Sequence, residues 1–192
     1  MTVRGRVVFR RMRPLLYGLS SLFKLMPRVF RHLCWSLSDL VPGMAGVGLR
    51  YAIARSLAAH CGDVVLFGPG VTVKAWRNLS LGNNVSIHDA CYIDATGCID
   101  IHDEVSIAHH TSVLSSNHTW DDPSLAIRDN PVTMSKTTIG PDVWIGCGVR
   151  VLAGVHLGAR TVVAAGAVVN RSFEGNGLLG GVPARVLKRI DI

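Results

Sequence analysis

Four histidines, His102, His109, His110 and His118, lie close together in the chain, and the last sits inside a polar run, SSNHTWDDP at 115–123. Imidazole titrates near ~6.5, so it can take up and return a proton at neutral pH or bind a metal as the neutral ring. One positioned histidine is enough to activate a hydroxyl as a general base. A metal would need three well-separated histidines, a pattern that the neighbours His109 and His110 do not supply. Around His118 stand Asn117, Trp120, Asp121, Asp122 and, further on, Arg128, an aromatic face with planar hydrogen-bonding groups. Such a set suits a sugar but is not specific to one.

These groups need a scaffold, and the chain supplies one with a period of six. An aliphatic or aromatic residue returns at Phe67, Val73, Leu81, Ile87, Ile93, Ile101, Ile107 and Val113, then at Ile139, Ile145, Val151, Leu157, Val163 and Val169. Two places earlier runs a second row, Val85, Val105, Val143, Val149 and Val155, and glycine often follows the main row, as at Gly68, Gly82, Gly140, Gly146 and Gly158. Positions i−2 and i share one face of a short strand, and small residues after it suit a tight bend. The pattern predicts a prism of short parallel strands stacked as a solenoid, with roughly 18 residues per turn. Steps of eight, from Val73 to Leu81 and from Ile93 to Ile101, are then corner insertions, and the 26 residues from Val113 to Ile139 contain an excursion at about 114–137. Interruptions of a solenoid tend to carry function, and this one carries His118. The same alternation expects Asp94, after inward Ile93, to point outward at a corner, and Cys91 to fill the core.

The 192 residues, 48% of them hydrophobic, suffice for one sizeable core and an appendage. Residues 1–60 hold ten Lys or Arg against Asp39 alone, a charge of +9, whereas the remainder carries −2. The expected division is a basic, amphipathic helical segment at 1–62 and a solenoid at 63–192. Helices are expected over Leu15–Leu25, Arg28–Leu37 and Met44–Ala59, with Pro14, Pro27 and Pro42 as breaks and His60 to Asp63 as a linker. No apolar run approaches the ~20 residues needed to span a bilayer, and arginines recur where a secretory signal would be apolar. The leader reads either as a cap on the open end of the prism or as a peripheral contact with an anionic membrane. No recognition motif accompanies its charge, so nucleic acid is not an expected partner. Five cysteines without a CxxC pair form neither a disulfide framework nor a zinc clamp, which favours a reducing, cytoplasmic setting.

The residues IGPDVWIGCGVRVLAGVHLGARTVVAAGAVV (139–169), the run SSNHTWDDP and the terminal GGVPARVLKRI (180–190) closely resemble the hexapeptide-repeat acyltransferases. The resemblance spans roughly Val64 to Ile190, and its nearest branch is the O-acetyltransferases of sugars and surface polysaccharides, the galactoside and maltose acetyltransferases among them. It implies a left-handed parallel β-helix; periodicity alone gives no hand. It also implies acetyl-CoA as acyl donor, no metal, and a homotrimer with active sites between subunits.

His118 matches the family's catalytic histidine, the base that would deprotonate an acceptor hydroxyl for direct attack on the thioester. Trp144, Cys147, Ala165, Asn170, Arg185 and Lys188 fall on positions that line the coenzyme A cleft, and Gly146 and Arg171 are expected to join them in binding the donor. Small residues there would let the pantetheine arm lie along the prism, and the basic ones would meet phosphates. Backbone N–H groups near Gly146 and Cys147 are candidates to hold the oxyanion. Asp89, Asp94, Asn117, Trp120 and Asp121 are the expected acceptor-binding residues, and Asp121 or Asp122 the candidates to orient the imidazole. The acceptor implied is a sugar hydroxyl of a surface-polysaccharide or lipid-linked glycan precursor at the cytoplasmic membrane face. Serine or amino-sugar acyl transfer, a non-enzymatic solenoid and a γ-carbonic-anhydrase-like metal hydratase remain as alternatives on the same prism.

Overall fold

The structure, a computed structural model, describes residues 3–190, so the first two residues of the basic leader and the last two of the solenoid region lie outside the described residues. Three helices come first, α1 (Val3–Leu25), α2 (Arg28–Leu37) and α3 (Gly43–Leu57). The rest coils into a left-handed parallel β-helix with three flat faces.

Face I stacks β1 (His60–Cys61), β4 (Leu79–Leu81), β7 (Ile99–Ile101), β12 (Thr137–Ile139) and β15 (His156–Leu157). Face II stacks β2 (Leu66–Phe67), β5 (Ser86–Ile87), β8 (Ser106–Ile107), β13 (Val143–Ile145), β16 (Thr161–Val163) and β18 (Gly177–Gly180), closed by the antiparallel edge strand β19 (Arg185–Arg189). Face III stacks β3 (Thr72–Lys74), β6 (Tyr92–Asp94), β9 (Ser112–Leu114), β14 (Arg150–Val151) and β17 (Val168–Val169). A two-stranded antiparallel ribbon, β10 (Ser116–His118) with β11 (Val132–Met134), leaves the corner between faces III and I.

Register partners on successive coils confirm the slips read from the sequence. They differ by 20 residues from Leu79 to Ile99, by 38 from Ile99 to Thr137 and by 18 from Thr138 to His156. Alternation sends the six-residue row inward: every member is buried except Val73, which is half-buried in the first coil. The glycines after the row answer a different need from the bend expected of them. At Gly62 an added Cβ would lie 2.5 Å from the Gly82 carbonyl oxygen, and at Gly158 2.0 Å from that of Glu174. Adjacent coils pass too close there for any side chain, while the left-handed turn itself falls two residues later, on residues such as Val64 and Arg160.

Two expectations need correction. His60 and Cys61 form the first strand of face I rather than a linker, so the solenoid begins ahead of residue 63. Helix α1 starts well before Leu15 and runs through Pro14. That proline is solvent-exposed, and Phe9 and Leu16 on either side of it are buried. Packing on both sides of a break offsets the one hydrogen bond that proline removes.

The inner faces of the helices shelter the first coil, as an open solenoid end requires. Trp35 of α2 packs edge-on to Trp76 and Phe67, at 4.8 and 5.3 Å between ring centres, and its Nε1 donates to the Val71 carbonyl at 3.2 Å. Arg50 of α3 is buried; its Nε donates to the Phe67 carbonyl at 2.8 Å and its Nη1 to that of Ser38 at 3.1 Å. Arg50 thereby satisfies the Phe67 carbonyl at the open end of face II, while that of Ser38 also accepts from the Val41 N–H at 3.2 Å. Asp39 accepts from the Gly70 N–H at 2.9 Å, binding the turn between α2 and α3 to the solenoid.

Candidate active site

His118 ends the outgoing strand of the ribbon, opposite Val132. Its imidazole is exposed and makes no hydrogen bond among the described residues. Neither carboxylate proposed to orient it does so. Asp122 instead accepts from the backbone N–H and hydroxyl of Ser124, which hold its carboxyl below the usual carboxylate range, and Asp121 is exposed. The loop beyond His118 is organised by a residue that no motif singles out, Asn130. Its side chain is buried, donates to the carbonyls of Asp122 and Ala126, and accepts from the Asp122 N–H.

Asp94 also departs from expectation. Only 9% of it is exposed, so it does not project outward. Its carboxylate accepts from the N–H and hydroxyl of Thr96 and from Ser116 Oγ at 3.2 Å. Burial alone would raise its pKa, but these bonds and the charge of Lys74 outweigh that and hold it below its ordinary value. Ser116 shares a ribbon face with His118, since residues two apart on a strand point the same way. Asp94 therefore clamps the ribbon's root. Ser115 Oγ donates to the Asp94 carbonyl and Thr137 Oγ1 to that of Leu114, fixing the exit and the return of the excursion.

The corner between faces II and III has a different character. Its successive turns are Gly68–Pro69–Gly70, His88–Asp89–Ala90, Ala108–His109–His110, Gly146–Cys147–Gly148 and Ala164–Ala165–Gly166. Flanking N–H groups bond to the neighbouring coil, as Gly146 to Val163, Gly148 to His109 and Gly166 to Cys147. The Gly146 N–H is thereby engaged and cannot hold an oxyanion. The middle N–H groups of Cys147 and Ala165 have no partner among the described residues, and no atom lies within 4 Å of where a Cβ on Gly148 or Gly166 would be. The lower part of this edge is thus a bare strip of backbone with free donors.

The expected donor residues divide between edges. Cys147 and Ala165 lie on the strip, Trp144 stands on face II beside it and half exposed, and Arg185 pairs with Gly180 at its end. Lys188 lies further along the same edge strand, paired with Leu178. Asn170 and Arg171 follow β17 on the other edge, the one that carries the ribbon. Asp89, His109 and His110 are on the strip's edge, away from His118, and among the described residues no three His, Cys, Asp or Glu side chains converge on a point that would suit a metal. Face III separates His118 from the strip within one chain.

Residues 136–171 match a family model described as bacterial transferase hexapeptide, six repeats. The chain is 31% identical over 147 residues to a putative lipopolysaccharide biosynthesis O-acetyl transferase of Escherichia coli K12, across 77% of this chain and 68% of that protein. A probable acetyltransferase of Mycobacterium tuberculosis is 30% identical over 66% of this chain, a match that spans only 36% of that protein's length. Among solved structures, a hexapeptide-repeat acetyltransferase of Vibrio cholerae complexed with acetyl coenzyme A superposes with a TM-score of 0.72 at 26% identity, over 93% of this chain and 89% of that one.

Proposed function

The chain belongs to the hexapeptide-repeat acyltransferase family, and from that premise we propose that it transfers an acetyl group from acetyl-CoA to a hydroxyl of a sugar, with His118 as general base. The observation that carries this reading is the division of the machinery between two edges of one prism. An exposed imidazole stands on one edge, and a strip of small residues with unpaired N–H groups lies on another, across face III. A site with both halves requires a second copy of the chain. We therefore place it between subunits of a homotrimer, with His118, Asn170 and Arg171 of one chain facing Cys147, Ala165 and Arg185 of the next. Cyclic association satisfies every such pair with one interface.

The donor's amide-rich arm fits a wall of small residues whose N–H groups lack partners, and Arg185 and Lys188 at its end suit phosphates. In the reaction His118 takes the proton of the acceptor hydroxyl while the oxygen attacks the thioester carbonyl. The Cys147 N–H is the donor available to the resulting oxyanion. Collapse expels the thiolate, which receives the proton back from the imidazolium, and no acyl-enzyme forms. Trp120 and Asp121 line the acceptor side, with Asn117 on the ribbon's other face. Asp94 acts through the ribbon rather than on the sugar. We place the enzyme at the cytoplasmic face of a membrane, where surface-glycan precursors are built.

Thiol release from acetyl-CoA, measured against free sugars, amino sugars, nucleotide sugars and polyprenyl-linked glycans, tests the assignment. His118→Ala should lose about 10²–10⁴ of turnover with its fold intact, because the side chain is exposed and unbonded. Turnover equal to wild type in that variant would end the proposal.

A further inference from the structure

Sheltering the first coil uses only one side of the leader. Phe9, Leu16 and Phe23 of α1 are buried, yet Leu15, Leu22 and Leu25 on the same helix are 63, 51 and 84% exposed. Helix α2 repeats this: Trp35 enters the core while Val29, Leu33 and Leu37 face solvent. Among the described residues, twelve exposed large apolar side chains fall between 7 and 44, against nine in the remaining chain. Val8, Met12, Leu15, Leu19 and Leu22 are spaced to form one stripe on α1. With Met44 and Val47, most of that stripe walls an open apolar groove of about 400 Å³ between α1 and α3.

We infer that this outer face of the helical cap is a docking surface for an anionic lipid bilayer. Charge selects that occupant. Residues 1–60 carry +9, so a second copy of the cap would be repelled, whereas anionic headgroups complement that charge, with exposed Arg11 beside the apolar stripe on α1. No described helix is long and apolar enough to cross a membrane, so the leader lies on the surface with its leucines in the acyl boundary. Cyclic symmetry sets the caps of a trimer at one height along its axis, so three surfaces engage together. The ribbon leaves the third coil, two coils from the capped end, and strands in this stack are ~4.8 Å apart. His118 then works on the order of 10 Å along the stack from the first coil. This geometry, which rests on the catalytic reading above, points to an acceptor glycan still attached to a membrane lipid.

The full chain is floated with vesicles of phosphatidylcholine alone and of phosphatidylcholine with phosphatidylglycerol. Binding is expected only to the anionic vesicles and is expected to weaken with salt. Reversing the exposed Arg11 to Glu should weaken it roughly 30-fold, and Leu15→Asp with Leu22→Asp should also abolish flotation. Both variants alter exposed side chains, so helical circular dichroism and turnover on a soluble acceptor should stay at wild-type levels. Equal flotation on neutral and anionic vesicles, or none on either, overturns the docking surface. So does a leucine variant that changes the oligomer's mass in light scattering while flotation persists, which would mean that a second copy covers the stripe. Flotation with no turnover on any acceptor would instead sustain the docking surface and remove the catalytic reading.

Discussion

Replacing Asp94 with Asn tests whether a buried carboxylate holds the ribbon at its root. In the native fold that carboxylate accepts from the Thr96 N–H at 3.1 Å, from the Thr96 hydroxyl and from Ser116 Oγ at 3.2 Å. Hydrogen bonds to a charged group contribute roughly 1.5–3 kcal/mol each. Asn keeps the shape and one acceptor, so the exchange forfeits one bond and the charge assistance of the others, about 2–3 kcal/mol together. The pH dependence has a definite sign. The folded pKa is depressed, so the carboxylate stabilises the fold above its unfolded value of ~3.9, and this contribution disappears as pH falls through the folded value. Urea titrations should therefore show the variant less stable by that amount from about pH 8 to about pH 5, with the gap closing below about pH 4. Amide exchange at residues 116–118 should quicken, because those residues lose their tether to the coil. A variant as stable as wild type near neutrality, or a deficit that persists unchanged in acid, would refute the charged-anchor argument.

Ala165→Trp should block the bare strip and raise the KM for the acyl donor with little cost in stability, since Ala165 is exposed. Mixed after reversible dissociation with His118→Ala and assayed at a donor concentration where each alone is nearly silent, the two impaired proteins should regain about a quarter of wild-type activity, the statistical share of shared sites with both halves intact in a cyclic trimer; no recovery from demonstrably mixed oligomers would mean that each chain holds its own site. A thiol reagent near pH 8 should label exposed Cys98 in the native protein but reach Cys61 and Cys91 only in denaturant. Burial pushes the Cys61 thiol up to about 12, and raises that of Cys91 too, so neither presents a thiolate. Rapid native labelling of Cys61 would contradict the packing of α3 against the first coil.

The solenoid was legible because its core obeys a local rule. A residue such as Ile145 is inward by period alone, and the steps of eight and 26 mark the corner insertions and the excursion, though not the strand pairing within it. Asp94 was misread because strand alternation stops at a corner: Thr96 and Ser116 turn back onto it, and nothing in a two-residue periodicity anticipates that. Asn130 was invisible for a related reason, since its three partners are backbone groups that any sequence would offer. The prolines predicted a break at Pro14 that α1 does not make, because flanking contacts with α3 outweigh local preference. Likewise, the division of Arg171 and Arg185 between edges depends on which corner each follows, and a linear motif does not distinguish corners.

All the irregularity in turn length is confined to the III-to-I corner. From Phe67 onward the other two corners keep six-residue steps, locked by the same N–H to carbonyl contacts from coil to coil, while this one takes eight residues twice and then 26. One edge of the molecule is therefore permissive to insertion and deletion, and it is the edge from which His118 projects. A change in the length of the arm that carries His118 leaves the coil-to-coil contacts of the other two corners untouched, so that arm can lengthen or shorten without disturbing the stack that keeps the protein folded.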